Sequence, residues 1–258
     1  MDRLQNICEI IAQDGFTDNT LKEINNYIND IQNGTEDFLR FNLSEHAGLC
    51  KGGAPLIGAS IIACHARRSL ATGGNVTSSQ ESSPANLEID ELQEKLIEQW
   101  AKATNLWEDN SEQILTAEFG PMIAQGAEAK VYFSDGNTSV VKERASIYST
   151  TQKALDAIVL HNYLFPETAM KVIGFTRDGD GLFRIVLTQP FIRCLRLATK
   201  EEIDRMVREK GFQDNWQGQG VNYISERLSL EDMHPANVFI DKLTGKPTCI
   251  DCIVKFTK

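Results

Sequence analysis

The sequence lacks a long apolar run. Its longest apolar stretch, Pro55 to Cys64, is shorter than the roughly 20 residues that an α-helix needs to cross a bilayer. The first residues, Met1 to Asn6, also lack the apolar core of a secretory signal. We therefore expect no membrane partner.

Net positive charge is also missing. The 258 residues carry a formal charge of -10, which argues against a broad basic face of the kind that binds nucleic acid. The six cysteines are scattered without the spacing of a disulfide framework, so we expect a reducing, cytoplasmic location. Hydrophobic residues make up 41% of the chain, which is enough to bury a sizeable core.

Two familiar motifs are incomplete. The glycine cluster from Gly52 to Gly58 is not followed by Gly-Lys-Ser/Thr, so it is not a Walker loop. Cys249 and Cys252 match C-x-x-C, but the sequence shows no second pair of ligands. A zinc or redox site is therefore not predicted there.

A stretch without bulky apolar residues divides the chain. Residues 71–86 are rich in Gly, Ser, Thr and Asn, which is typical of a flexible linker. Residues 1–70 contain amphipathic helical patterns, and a capping box from Thr20 to Glu23 predicts the start of the second helix. Beyond the linker we expect a second domain over residues 87–258, which opens with a helix over 87–107.

Strand patterns predominate from Ile114 onward. Short apolar runs are separated by turns that contain glycine, which is the pattern of antiparallel hairpins. Helical patterns interrupt them over Ser149–Leu164 and after a capping box from Thr199 to Glu202. This mixture predicts an α+β fold.

Three oxygen-bearing side chains flank the last predicted hairpin. Asp232 and Asn237 precede its first strand, and Asp251 follows its second strand. Because a hairpin brings its two ends together, these side chains are expected to converge. Carboxylate and amide oxygens without a nearby Cys or His pair are ligands suited to Mg²⁺.

The order of these elements resembles the protein-kinase fold over Ile114 to Phe256. Strand, turn and strand are followed by Lys142, a helix, two strands and an exit segment, and then by the Asp–Asn–Asp set. In that family an Asn follows the catalytic Asp after five residues, and here Asn237 follows Asp232 at the same interval.

Particular segments narrow the resemblance. Gln125 to Tyr132 looks like the nucleotide loop of small atypical, RIO-like kinases. Asp232 to Asn237 looks like the Asp-x-His-x-x-Asn loop of aminoglycoside and choline phosphotransferases. Three further segments are similar to the kinase-like domain of bacterial and phage polyvalent proteins. They are Leu160 to Thr168, Gln189 to Ile192 and Trp100 to Trp107.

The resemblance implies a bilobal, protein-kinase-like fold within the α+β class. Its antiparallel N-lobe would cover residues 114–190, and a reduced helical C-lobe would cover 191–258. Residues 1–70 would form a helical extension. No activation segment is recognisable after Asp251, so a conventional peptide-docking platform is not expected.

The resemblance also assigns roles within a site for ATP and Mg²⁺. Asp232 would orient or accept the proton of the attacking hydroxyl group, and His234 would orient Asp232. Asn237 and Asp251 would hold Mg²⁺ against the phosphates. Lys142 would contact the phosphates that are not transferred.

Further residues would bind the nucleotide. The glycine-rich loop keeps only Gly126 of the usual pattern, and Glu128 in that loop could face Lys142 or point to solvent. The helix that normally supplies a glutamate partner for this lysine offers only Asp156. Gln189 and Phe191 would form the adenine-binding hinge, with the Phe191 amide as donor because Pro190 has no N–H group.

The sequence leaves three functions open. The first is an ATP- and Mg²⁺-dependent kinase that acts on a protein Ser or Thr hydroxyl, its own included. The second is a nucleotide-binding pseudokinase, since the glycine loop is thin and the helix glutamate is missing. The third is a small-molecule kinase, which the Asp-x-His-x-x-Asn loop favours.

Overall fold

A computed structural model describes residues 3–38, 40–71, 84–109, 111–126, 129–134, 136, 138–145, 148–215 and 223–257. The helices in these ranges are α1 (Arg3–Asp14), α2 (Asp18–Gln32), α3 (Leu43–Lys51), α4 (Gly53–Ala71), α5 (Pro84–Ala103), α6 (Ser111–Phe119), α7 (Thr151–Leu164) and α8 (Lys200–Glu209). The strands are β1 (Trp107–Glu108), β2 (Ala124–Gln125), β3 (Ala129–Phe133), β4 (Ser139–Ala145), β5 (Lys171–Arg177), β6 (Phe183–Pro190), β7 (Cys194–Leu197), β8 (Gln213–Asp214), β9 (Tyr223–Ile224), β10 (Leu228–Glu231), β11 (Val238–Asp241), β12 (Pro247–Cys249) and β13 (Ile253–Phe256).

One hydrophobic core joins the N-terminal helices to the strands that follow them. The apolar faces of α1, α2 and α4 pack together, and the same buried cluster includes residues of α5, α7, β5 and β6. Trp100 of α5 lies edge-on to Phe175 of β5, with ring centroids 6.3 Å apart. The predicted helical region is thus packed directly on the sheet.

The largest sheet has six strands in the order β1-β5-β6-β4-β3-β2. The short β1 is parallel to β5, and the remaining neighbours are antiparallel. On β4, Lys142 lies between Val131 of β3 and Leu187 of β6. Its position in the middle of the sheet explains why this lysine side chain is buried.

Two smaller sheets follow the six-stranded sheet. Strands β13, β10, β9 and β8 form one, and β12, β11 and β7 form the other. A second buried cluster joins these sheets to α8 and to the C-terminal end of α7. Helix α7 therefore contributes to both hydrophobic clusters.

The α+β class that the sequence predicts is confirmed. The last hairpin is present as β11 and β12, and the helix at 149–164 is present as α7. The capping box of α8 is also present, with Thr199 and Glu202 bonded to each other's backbone.

Three local predictions are wrong. Helix α2 begins a turn earlier than the Thr20 capping box implies, because Thr17 is its N-cap and accepts a hydrogen bond from the Thr20 amide. The leading helix is Pro84–Ala103 rather than 87–107. The chain from Ile114 to Phe119 is helical rather than extended, and its Leu115 packs on the sheet.

The predicted linker falls mostly outside the described residues, since residues 72–83 lie beyond the ranges given above. No single helix in the described ranges is long and apolar enough to cross a membrane. One pair of helical segments, Ser44–Lys51 and Gly53–Ala71, passes that test of length and composition together, but the pair is bent by 113°.

The contact between α3 and α7 yields a first prediction. A Cβ atom added at Gly48 would lie 2.1 Å from the carbonyl oxygen of Val159 and 2.8 Å from the amide nitrogen of Tyr163. Both are backbone atoms, so the helices must move apart. We expect Gly48→Ala to lower the free energy of unfolding by about 1–3 kcal/mol, as overpacking does.

The measurement is urea unfolding followed by circular dichroism. Gly179→Ala is the matched control, because a Cβ atom there would meet nothing within 4 Å. Equal unfolding midpoints for the two variants would contradict a close backbone contact between α3 and α7.

The start of α8 yields a prediction about pH. Glu202 accepts hydrogen bonds from Arg196 and from the Thr199 amide, which together lower the pKa of its carboxyl from 4.5 to about 2. A lowered pKa means that the stabilisation is complete above pH 4.5 and is lost as the pH falls towards 2. Glu202→Gln should therefore destabilise the protein at pH 7, by an amount that shrinks below pH 4.5.

Urea midpoints measured from pH 7 down to pH 3 test this prediction. Glu209→Gln, at the other end of the same helix, is the control for the removal of one carboxylate. A difference between wild type and Glu202→Gln that is constant with pH would contradict the assignment.

Candidate functional site

A cleft of about 480 Å³ opens between the six-stranded sheet and the loops around the last hairpin. The sheet side contributes Gly126, Lys142, Gln189 and Phe191, all of which the sequence singled out. The other side contributes the predicted residues Asp232, Asn237 and Asp251.

The loop between β10 and β11 holds Asp232 and Asn237 together. Asn237 Nδ2 donates to Asp232 Oδ2 at 2.8 Å and to the Asp232 carbonyl at 3.0 Å. Asp232 has a φ of 62°, in the left-handed region that few residues other than glycine adopt. Strained backbone of this kind is concentrated at functional sites, where the surrounding structure holds it in place.

His234 completes this loop. Its Nδ1 accepts a hydrogen bond from the Ala236 amide at 3.2 Å, so in the neutral ring the proton lies on Nε2. That nitrogen lies 3.2 Å from Asp232 Oδ1 and can donate to it. The two carboxylate oxygens of Asp232 thus contact different partners, Asn237 and His234, as expected for a side chain that must hold one orientation.

The hairpin brings Asp251 to the same cleft. The Ile250 amide donates to the Asn237 carbonyl at 2.9 Å, which closes the hairpin directly beside Asp251. The Asp251 carboxylate lies 3.8 Å from Lys142 Nζ and 3.7 Å from a guanidinium nitrogen of Arg144. Asp251 thus lines the same cleft as Asp232 and Asn237, as the sequence predicts. Its contacts with Lys142 and Arg144 are ion pairs, because these distances are too long for tight hydrogen bonds.

Burial and charge compete at this ion pair. Burial alone would raise the pKa of Asp251, but Lys142 and Arg144 outweigh it and hold that pKa below its ordinary value. Burial lowers the pKa of Lys142, and the Asp251 carboxylate offsets only part of that effect. The site therefore holds an ionised carboxylate opposite a lysine that loses its proton more easily than usual.

Gln189 lies at the inner wall of the cleft. Its side-chain amide donates to the carbonyl oxygens of Thr168 and Ile250, at 2.8 and 2.9 Å. It therefore ties β6 to the end of the last hairpin, where Asp251 follows. The side chain supports the cleft, since its amide hydrogens are used within the protein.

The prediction that the Phe191 amide donates to a base is wrong. This amide already donates to the Thr138 carbonyl at 3.0 Å, because the chain continues the pairing of β4 and β6 beyond Pro190. The Phe191 ring packs against Phe133 with centroids 5.2 Å apart and lines the cleft as an apolar wall. The next backbone amide along the chain is that of Ile192, which also lines the cleft.

Gly126 forms the turn at the open side of the cleft. Its amide donates to the Ala129 carbonyl at 2.9 Å, and a Cβ atom added to it would meet nothing within 4 Å. A ligand can therefore approach this backbone closely. Glu128, proposed as a partner of Lys142, lies outside the described residues.

The structure does not bring Asp156 to Lys142. Asp156 is buried on α7 and accepts hydrogen bonds on both carboxylate oxygens from Arg40, with Nε to Oδ1 at 2.8 Å. It lines a separate cavity of about 340 Å³ with Arg40. The expectation that Asp156 pairs with Lys142 is wrong, because the Asp156 carboxylate is bound by Arg40 of the N-terminal helical region.

Sequence reasoning missed two cations that shape the site. Arg144 is two residues from Lys142 on one strand, so the alternation of side chains places both on the same face. That periodicity was visible in the sequence. Arg40 precedes its partner by 116 residues and carries no local signal.

The donor set fits a nucleotide with a hard cation. Asn237 uses Nδ2 to bind Asp232, so Oδ1 is the atom of this amide available to a metal ion. With the Asp251 carboxylate it offers oxygen ligands of the type that Mg²⁺ prefers. The accessible backbone at Gly126 and the buried charge of Lys142 lie on the opposite wall, where phosphate groups would be bound.

Comparison with known proteins identifies a family but no individual relative. No curated protein and no solved structure matches the chain. A family model described as "Serine/Threonine/Tyrosine Kinase found in polyvalent proteins" matches residues 90–258, well over half of the chain. The chain therefore belongs to the family of kinase-like domains found in polyvalent proteins.

Proposed function

We propose that this kinase-like phosphotransferase uses ATP and Mg²⁺ and transfers a phosphoryl group to a Ser or Thr hydroxyl of a protein, its own included. The observation that carries this proposal is the grouping of Lys142, Asp232, Asn237 and Asp251 in one cleft. Family membership supports the reaction class, and the donor set supports the cation. In this proposal the six-stranded sheet is the N-lobe, and the strands after residue 191 belong to a reduced C-lobe.

Asp232 would orient the acceptor and take its proton. Its carboxylate is held by Asn237 and is within reach of His234 Nε2, yet the side chain stays 45% exposed and open to an incoming hydroxyl. Asp232 accepts the hydroxyl proton as the oxygen bonds to the terminal phosphorus and the bond to the nucleoside diphosphate breaks. Phosphoryl transfer depends mainly on such positioning and on neutralised charge.

The neutralising charges would come from the other wall. When bound, Mg²⁺ would offset the negative charge of the phosphates, with Asn237 and Asp251 as its protein ligands. Lys142 and Arg144 lie beside Asp251 and would add positive charge to the same region. Arg144 adds a cation beside Asp251 that, unlike a lysine, does not lose its proton.

The second candidate is a nucleotide-binding module without turnover. It is favoured by the Arg40–Asp156 pair, which leaves Lys142 with Asp251 rather than with an acid on α7. The two candidates differ in one observable. Both predict stabilisation by a nucleotide, whereas only the kinase predicts transfer of phosphate that depends on Mg²⁺.

Substitutions of the two aspartates test the proposal. Asp232→Asn should lower the rate of transfer from radiolabelled ATP by about 10²–10⁴-fold, because the proton acceptor is lost, with ATP binding retained. Asp251→Asn should lose the rise in melting temperature that Mg²⁺ and a non-hydrolysable ATP analogue produce together.

Asp180→Asn, on an exposed turn away from the cleft, is the matched control and should behave as wild type. Undiminished transfer by the Asp232 variant would exclude this site. Wild-type binding without any transfer would favour the binding module. Transfer to an aminoglycoside or to choline, with no labelled protein, would overturn the protein acceptor.

The lowered pKa of Lys142 predicts selective chemistry at its amine. An amine-reactive probe should label Lys142 at a lower pH than surface lysines, and an ATP analogue should protect it. In Asp251→Asn the opposing carboxylate is gone, so the pKa should fall further and the onset of labelling should move to lower pH. Peptide mass spectrometry over a pH series measures this onset, and an upward movement would contradict the assigned ion pair.

A further inference from the structure

A cluster of soft ligands lies next to the cleft, and one of its members, Cys252, also lines the cleft. Cys249 ends β12, Cys252 precedes β13, and His161 lies in the last turn of α7. One ligand atom from each lies within 4.8 Å of the other two. All three side chains are buried, and none has a role in the phosphotransferase proposed above.

The distances fit a tetrahedral metal site. Zn–S bonds of 2.3 Å and Zn–N bonds near 2.0 Å place neighbouring ligand atoms about 3.5–3.8 Å apart. Cys252 Sγ lies 3.6 Å from His161 Nδ1. The other two pairs of ligand atoms lie within 4.8 Å, so a single ion would draw each pair together by at most about 1 Å.

The histidine is already oriented as a ligand. His161 Nε2 lies 3.2 Å from the Thr168 carbonyl oxygen, and a carbonyl can only accept, so Nε2 carries the proton. Nδ1 is then left with a lone pair that faces the thiols. A ring nitrogen that donates to a backbone carbonyl while the other nitrogen binds metal is the usual outer-shell arrangement of metal-binding histidines.

A fourth soft atom lies beside the cluster. The thioether sulfur of Met233 is 3.9 Å from Cys249 Sγ, and Met233 is fully buried. Thiolate and thioether ligands select soft ions such as Zn²⁺ and Cu⁺ over Mg²⁺. The cluster is thus chemically distinct from the oxygen ligands of Asn237 and Asp251.

We propose that His161, Cys249 and Cys252 form a buried structural site for Zn²⁺, with the Met233 thioether as an apolar neighbour. Binding releases the two thiol protons to solvent, and the two thiolates then balance the charge of Zn²⁺. A neutral site suits a buried position, whereas Cu⁺ would leave a net negative charge. The ion would pin α7 to both ends of the segment that carries Asp251.

Metal analysis of the full chain tests this inference, which holds whether or not the cleft transfers phosphate. Protein produced with added Zn²⁺ and then dialysed should retain about one zinc ion per chain. Cys249→Ser and Cys252→Ser should each lower that content at least tenfold. Cys194→Ser, which removes an exposed thiol outside the cluster, is the control and should retain the metal.

Two measurements on the wild-type chain make the test independent of how the variants fold. Removal of zinc by a chelator should lower the melting temperature by about 5–10 °C, and readdition should restore it. Co²⁺ in place of Zn²⁺ should give the near-ultraviolet charge-transfer absorption of thiolate ligands.

Three results would overturn the proposal. The first is wild-type protein that holds no zinc and shows no thermal response to it. The second is binding of Cu⁺ but not Zn²⁺. The third is a disulfide between Cys249 and Cys252, seen by mass spectrometry of the peptide that contains both as a mass lower by two hydrogen atoms.

Discussion

The carboxylate of Asp251 is the contact on which the cleft depends. It lies within 4 Å of cations on two positions of β4, Lys142 and Arg144, and so links the six-stranded sheet to the last hairpin. Around it, Gln189 donates to the Ile250 carbonyl and the Ile250 amide donates to Asn237. Each hydrogen bond satisfies a backbone group near the junction, so the position of Asp251 is determined by both sides of the cleft.

Helix α7 connects this junction to the N-terminal helices. Arg40 binds Asp156 on α7, and Gly48 allows α3 to approach the backbone of the same helix. Burial disfavours both charges, but the hydrogen bonds from Arg40 to Asp156 keep the guanidinium charged and raise its pKa. A helix that offers no acid to Lys142 is thus held in place by a different ion pair, which the N-terminal region supplies.

Several local sequence signals predicted the structure correctly. The hairpin of β11 and β12, helix α7 and the capping box of α8 are short-range features, and each has a direct physical cause. Errors arose where tertiary contacts or a competing cap decided the outcome. Thr17 displaced Thr20 as the cap of α2, and Leu115 packs on the sheet from a helix rather than from a strand.

The α+β class and the convergence of Asp232, Asn237 and Asp251 could both be inferred from local patterns. The convergence follows because a hairpin brings its own ends together. The partners of side chains that are far apart in sequence depend instead on tertiary packing. Asp156 meets Arg40 across 116 positions, and Cys252 meets His161 across 91. Such pairings follow from how whole elements pack, and no local periodicity encodes them.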